Sequence, residues 1–168
     1  MKKLILVAAT IAVCSFTSVS AQIKLGHINS TNLLQAMPET KMADSVLQKF
    51  GTSLQDQLKT MSGEYDRKVA DYKTKEASMA APIKETVVKD ITDLEDRIRE
   101  FQTSAQENIQ KKKEELYQPI IKKADDAIKA VAKEKGYTYI FDSGVGVLLY
   151  ANESDDVMSM VKTKLGLK

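Results

Sequence analysis

The sequence predicts a mostly α-helical α+β protein in which a long antiparallel helical hairpin, the arm, projects from a small β platform. Three observations lead to this prediction. Residues 40–135 contain only two glycines and two prolines, and an apolar residue recurs every three or four positions. A short apolar strand precedes this stretch, and a strand–turn–strand pattern follows it. Pro82, near the middle, divides the stretch into two helices.

The first 21 residues have the pattern of a cleaved secretion signal. Lys2 and Lys3 supply a positive start, Leu4 to Val13 form an apolar core of ten residues, and Ala21 ends a small-residue cleavage site. Ten apolar residues are too few to span a bilayer, which needs about 20. We therefore expect cleavage after Ala21 and export of the mature chain.

Cys14 is the only cysteine, and it lies inside the predicted signal. The alternative is a lipid-modified cysteine at the start of the mature chain, which the large Val13 before it disfavours. Removal of the signal leaves 147 residues with no thiol, which excludes disulfides and thiolate metal sites. These residues carry 23 charges of each sign, so no overall positive field attracts nucleic acid.

The first helix of the arm carries an apolar stripe with an eleven-residue period. From Phe50 to Tyr72 the stripe advances in steps of 4, 4, 3, 4, 4 and 3 residues, close to the 3.6 residues of a helical turn. Gly63 lies within this helix, where glycine costs about 1 kcal/mol relative to alanine. We therefore expect a flexing point at Gly63.

The second helix resumes the stripe after Pro82. Several of its apolar residues are spaced by eleven: Ile98, Ile109, Ile120 and Val131. Two striped helices joined by a short breaker fold back as an antiparallel pair, about 60 Å long for about 40 residues per helix. Pro119 is predicted to mark a bend where the arm re-enters the platform, and Gly136 to cap the helix.

The platform is predicted from residues 22–39 and 136–168. Residues 23–28 form a predicted strand that is followed by a short helix. Residues 137–141 and 147–150 are predicted as the two strands of a hairpin, with an amphipathic helix after them. Three short strands leave exposed sheet edges, and identical copies that pair edge to edge would close them. The pattern thus predicts an oligomer.

The arm offers two candidate contact surfaces near its tip. Its apolar stripe is expected first to hold the two helices together, but no third element covers its far side. The candidate apolar contact residues are Met61, Tyr65, Val69, Tyr72, Met79 and Ile83. Residues 67–89 are mildly basic, which suits a weak contact with a membrane surface. The basic residues of the tip are Arg67, Lys68, Lys73, Lys75, Lys84 and Lys89.

The residues for catalysis or metal binding are scarce. His27 is the only histidine and lies in a predicted strand, so we expect it to have a structural role and to anchor neither a metal site nor a Ser–His pair. Asp90, Asp93 and Asp96 share a helix face, but the Glu-x-x-His motifs of a di-metal bundle are missing. We expect no enzymatic activity, no metal and no cofactor.

Three segments are specific enough to suggest a family: Lys24-Leu-Gly-His-Ile-Asn29, Leu116-Tyr-Gln-Pro-Ile120 and Lys135-Gly-Tyr-Thr-Tyr-Ile-Phe-Asp142. Together with the arm pattern they make the mature chain resemble the Skp/OmpH family of periplasmic chaperones for outer membrane proteins. The resemblance implies a homotrimer whose helical arms surround a cavity. Unfolded outer membrane proteins would be held there without ATP, which prevents their aggregation.

The resemblance assigns roles to residues of this chain. The apolar tip residues become candidate client-binding residues. The trimerisation strands would include Ile23, Leu25, Ile28, Tyr139, Phe141, Val147 and Leu149. The best-known members are strongly basic, whereas this mature chain is neutral, so we assign no lipopolysaccharide site. The alternative function is a structural or adaptor coiled coil of the cell envelope.

Overall fold

The computed structural model describes residues 23–167, so the predicted signal, its cleavage site and Cys14 lie outside the described residues. Strand β1 (Leu25–Ile28) leads into the short helix α1 (Ser30–Ala36). Helix α2 (Pro38–Lys75), a 3-10 turn (Glu76–Ser78) and helix α3 (Ala81–Lys135) form the arm. Strand β2 (Tyr139–Asp142), a 3-10 turn (Glu153–Asp155) and helix α4 (Met158–Lys164) complete the chain. The predicted mostly helical α+β architecture is confirmed.

Proline and glycine mark the helix boundaries. Pro38 and Pro82 lie in the first turns of α2 and α3, where the missing N–H is not needed. Gly136 caps α3 with a φ of 70°, as predicted, because this left-handed conformation suits glycine. The Lys24 Nζ atom donates to the Lys135 carbonyl oxygen at 2.9 Å and adds a positive charge at the same helix end. Helix α3 continues unbroken through Pro119, where a bend is predicted.

Two glycines offer a matched test of these helix assignments. A Cβ atom built on Gly63 or on Gly136 meets nothing within 4 Å, so the positions differ chiefly in backbone conformation. We expect Gly63→Ala, in a helix interior, to raise the free energy of unfolding by about 0.5–1 kcal/mol. Gly136→Ala should lower it by about 1 kcal/mol because of its positive φ. Urea titration at one protein concentration measures both, and shifts of the same sign would contradict the assignment.

The two strands pair in parallel. Leu25 lies beside Tyr139 and Ile28 beside Asp142, so the whole arm is the crossover connection between neighbouring strands. On the other side of β1, His27 forms an isolated bridge with Asp156. The platform core lies between this sheet and the helices, and its most buried side chains are Leu33, Met37, Val157 and Val161.

The predicted hairpin strand 147–150 is wrong, since no strand is found there among the described residues. The chain must reach Asp156, which lies beside β1 on the side away from β2. It therefore crosses the sheet and does not return alongside β2. The predicted strand residues Val147 and Leu149 lie in this irregular segment, whereas Ile28 is buried in the core of its own chain.

Candidate functional site

The outer face of the two-stranded sheet is apolar and exposed. Tyr139 and Phe141 are alternate residues of β2, and both side chains face outward. Their rings stack with centroids 6.2 Å apart. Leu25 lies beside Tyr139 on β1 and is also exposed. Alternate residues, such as Ile28 and Ile140, pack in or against the core, as the two-residue period of a strand requires. An apolar face of this kind on a small domain indicates an interaction surface.

The segment 145–150 extends this exposed apolar surface. Val147 is 80% exposed and Leu149 is 98% exposed. Within residues 23–167, the backbone of residues 147–151 takes part in no backbone–backbone hydrogen bond. A segment rich in strand-forming residues thus has neither a core nor a strand to join within its own chain.

Asp142 anchors the end of β2. Its Oδ1 atom accepts from the Gly144 N–H at 2.8 Å and from the Ser30 N–H at 3.2 Å, and its other oxygen accepts from the Ser30 hydroxyl. The carboxylate therefore joins β2 to the first turn of α1. Gly144 is needed here because a Cβ atom would lie 2.8 Å from the Asn29 side-chain oxygen.

We expect acid to weaken this anchor. Burial raises the pKa of Asp142, but the hydrogen bonds from the Ser30 hydroxyl, the Gly144 N–H and the Ser30 N–H outweigh burial and lower the pKa overall. A lowered folded-state pKa stabilises the fold above the unfolded pKa, about 4, and this contribution is lost as pH falls through the folded value. The free energy of unfolding should therefore fall below pH 4 more steeply in the native chain than in Asp142→Asn. Parallel slopes in acid urea titrations would contradict this role.

The arm buries few of its side chains. Between residues 44 and 119, Leu94 alone is buried, and the rest of the apolar stripe is only half-covered. Near the platform the two helices are tied by polar contacts: the Tyr117 hydroxyl donates to Asp44, and Lys123 pairs with Glu39. Since a pair of helices covers one side of each stripe, the edges of the stripe stay open to other chains.

Comparisons with known proteins connect these features to a family. The model of the family described as "Outer membrane protein (OmpH-like)" matches residues 24–165. The chain belongs to the OmpH-like family. This confirms the resemblance that the sequence segments indicate.

Relatives of this OmpH-like chain agree with the assignment. The Chaperone protein Skp of Pectobacterium atrosepticum is 23% identical over 166 residues, which cover 96% of this chain and 100% of that protein. A crystal structure described as an OmpH-like outer membrane chaperone from Caulobacter crescentus CB15 has the same fold, with a TM-score of 0.76. It is 13% identical, and the match covers 86% of this chain and 85% of that chain.

The sequence-predicted client residues of the OmpH-like arm fall into two groups. Five of them are half-buried along the facing stripes: Met61, Tyr65, Val69, Tyr72 and Met79. Ile83 differs, because 55% of its side chain is exposed in the first turns of α3. The six-residue prediction thus mixes side chains that hold the arm together with one that is free for contact.

Sequence reasoning missed two exposed apolar residues on α3, Val88 and Ile121. Each directly follows a stripe residue, Val87 or Ile120. A doubled apolar residue cannot place both side chains on one helix face, because successive residues are 100° apart at 3.6 residues per turn. The paired apolar residues at 87–88 and 120–121 therefore indicate in the sequence that one side chain of each pair lies off the stripe.

The basic tip of the arm is not neutralised by ion pairs. Within the part of the chain that the structure describes, the ion pairs lie elsewhere, and none includes the six basic residues of the predicted tip. A cleft of about 220 Å³ lies there between α2 and α3, and its wall includes two lysines, two aspartates and apolar side chains: Lys68, Lys75, Asp71, Asp90, Tyr72 and Met79. The tip therefore combines free positive charge with partly open apolar surface.

Other kinds of site find little support in residues 23–167. His27 is held structurally, since its Nε2 atom donates to the Asn152 carbonyl oxygen at 3.0 Å. No group of three or more potential metal-binding side chains lies together in this range. No helix in the same range is long and apolar enough to cross a membrane.

Proposed function

We propose that this OmpH-like chain is an ATP-independent periplasmic holdase, which binds unfolded outer membrane proteins between helical arms and prevents their aggregation. The proposal rests on the low burial of side chains in the arm, since Leu94 alone is buried between residues 44 and 119. Long helices with half-covered apolar stripes offer many weak contacts and little shape specificity. Such contacts suit clients that differ in sequence and must later be released.

The cavity in this proposal is formed by three copies of the chain. Their sheets would meet through the exposed outer faces, with Leu25, Tyr139 and Phe141 at the centre of the assembly. Burial of these side chains removes an apolar patch that a monomer would leave in water. The arms then project from the joined platforms and enclose the client. Cleavage after Ala21 and export to the periplasm complete the proposal.

The basic tips add a weak contact with acidic membrane surfaces. Each lysine or arginine near an anionic surface contributes about 1 kcal/mol, so the effect depends on ionic strength. This contact would hold the open end of the cavity close to the membrane that receives the client.

The first experiment measures assembly and holding together. The mature chain, residues 22–168, is purified without nucleotide, and its mass is measured by sedimentation. A urea-denatured outer membrane barrel is then diluted into the protein, and aggregation is followed by light scattering. We expect a trimer that suppresses aggregation near one trimer per client. A monomer that leaves aggregation unchanged would refute the proposal, and a single folded stoichiometric partner in a pull-down would favour the adaptor.

Exposed apolar side chains on the arm should set client affinity. We expect Ile83→Ser combined with Val88→Ser to weaken client binding about tenfold, because each side chain can bury the rest of its surface against a client for about 0.5–1 kcal/mol. The matched control, Thr86→Ser with Thr92→Ser, changes exposed positions of the same helix and should bind as the native chain does. Fluorescence titration with a labelled client measures both affinities. Equal affinities in the two variants would exclude this surface.

A further inference from the structure

His27 lies on the outer face of the sheet, beneath the irregular segment 147–152. It and Leu25 are alternate residues of β1, so their side chains share a face. In the register of the sheet His27 lies beside Phe141. These three residues line a cavity of about 220 Å³ together with residues 148 and 150–152. The imidazole therefore lies between the exposed apolar face and the segment that crosses it.

The two ring nitrogens of His27 have different surroundings. The Nε2 atom lies 3.0 Å from the Asn152 carbonyl oxygen, which can only accept, so Nε2 carries the proton. The same carbonyl accepts from the Asp155 N–H at 3.1 Å, so the ring binds the start of the turn that leads to β1's other neighbour, Asp156. The Nδ1 atom is buried and has no hydrogen-bond partner within residues 23–167. This arrangement selects the neutral ring.

Three other titratable side chains lie around the ring: Tyr150, Asp155 and Asp156. The Tyr150 hydroxyl donates to the Asn152 side chain at 3.0 Å. The Asp156 Oδ1 atom accepts from the Met158 N–H at 2.7 Å. Asp155 lines the same cavity but forms no hydrogen bond with the ring, and on the side of β2 the neighbour is an uncharged phenylalanine. A second ring proton would therefore be a buried N–H without an acceptor in the present arrangement.

We propose that His27 is a pH-sensitive latch, which holds residues 150–152 on the outer face of the sheet when the ring is neutral and releases them when it is protonated. Protonation places a positive charge and an unpaired donor among apolar side chains, and both are costly when buried. The ring regains acceptors by turning toward water or Asp155, and the bond to the Asn152 carbonyl is then lost.

The direction of the effect follows from which form of the ring is favoured. Because the latched arrangement favours the neutral ring, the latch is complete at neutral pH. It is lost as pH falls through the range in which a free histidine takes up its proton, about pH 6–7. The Asp142 anchor weakens only below about pH 4, so the two effects occur in separate ranges.

The latch also has a consequence for assembly, which rests on the proposed function. The ring shares its face with Leu25 and Phe141, which are placed at the centre of the proposed trimer. A charged ring would then be buried in the interface, and the released segment would disturb its border. Acid should therefore shift the platforms from trimers toward monomers.

Hydrogen exchange followed by mass spectrometry tests the latch in whatever state of assembly the chain adopts. The amides of residues 155–157 report on it, because they bond to Asn152, Glu153 and His27 carbonyls. After correction for intrinsic rates, we expect their protection in the native chain to fall about tenfold between pH 7.5 and pH 5.5. Amides of residues 95–115 in the arm should keep theirs. Unchanged protection at residues 155–157 would overturn the latch.

The variant His27→Gln provides the matched control, because glutamine keeps an uncharged donor near the position of Nε2. We expect it to match the native chain at pH 7.5 and to exchange about tenfold more slowly at residues 155–157 at pH 5.5. Circular dichroism checks that the helices remain. Equal falls of protection in the two chains would assign the acid effect to other groups and overturn the latch.

Sedimentation separates this inference from the proposed function. The dissociation constant of the native trimer should rise about tenfold between pH 7.5 and pH 5.5, whereas that of His27→Gln should change by less than about threefold. A trimer that holds its client but keeps its protection in acid would overturn the latch and leave the holdase proposal intact. A native monomer at pH 7.5 would refute the trimer, and the exchange measurements would still decide the latch.

Discussion

Replacement of Phe141 by aspartate is expected to convert the proposed trimer into monomers. Phe141 is 45% exposed and stacks with Tyr139 on the outer face of the sheet. In the proposed trimer this face is buried, and each subunit would bring one unpaired carboxylate into it, at a cost of several kcal/mol per charge. We expect the dissociation constant to rise more than a hundredfold.

The monomer itself should survive this change, because the Phe141 side chain lies outside the core of its own chain. Sedimentation measures the assembly, and circular dichroism checks that the helices remain. Thr138→Asp provides the control, since it adds the same charge at an exposed position just before β2. A trimeric Phe141→Asp variant would show that this face does not mediate assembly, and a loss of helices would show that Phe141 supports the fold of its own subunit instead.

Replacement of Leu33 by alanine is expected to destabilise the platform by about 2–5 kcal/mol. Leu33 is 0% exposed, and it packs in α1 against the shared core of sheet and helices. Loss of its branched side chain removes apolar burial and leaves a cavity among side chains that belong to separate elements. The neighbouring Leu34 is only half-buried, so Leu34→Ala should cost about half as much.

Urea titration followed by circular dichroism measures this difference, with all variants at one protein concentration because assembly is linked to stability. The two variants remove the same atoms from adjacent positions of one helix, so a difference between them reflects burial alone. Equal losses would mean that the core is not centred on Leu33.

The elements that follow from local sequence were predictable. The apolar stripes predict two long facing helices, because a 3.6-residue period can be recognised in the sequence of one segment without knowing what it packs against. Gly136 predicts the end of α3, because an exposed left-handed position selects glycine. The sequence segments also indicate the family that the family model confirms.

The pairing of the platform was not predictable in the same way. Residues 147–150 have the composition of a strand, but a strand needs a neighbour, and the path to Asp156 takes the segment away from β2. The partner of β1 is a strand that follows the whole arm in sequence, and no local sequence pattern indicates such a long-range pairing. Exposure along the arm was not predictable either, since Tyr72 and Ile83 belong to the apolar stripes of the two facing helices but differ in how much of each side chain is buried.

The parallel pairing of β1 with β2 has a consequence for the order in which the protein matures. The arm depends on contacts between helices that are adjacent in sequence, so it can form before the residues that follow it have folded. The platform cannot close until residue 139 has emerged to meet Leu25. The outer face of the sheet is therefore among the last parts of the chain to form, and in the proposed trimer the arms would form before the three copies join. A chain truncated before β2 would keep a helical arm but lack the face proposed for assembly.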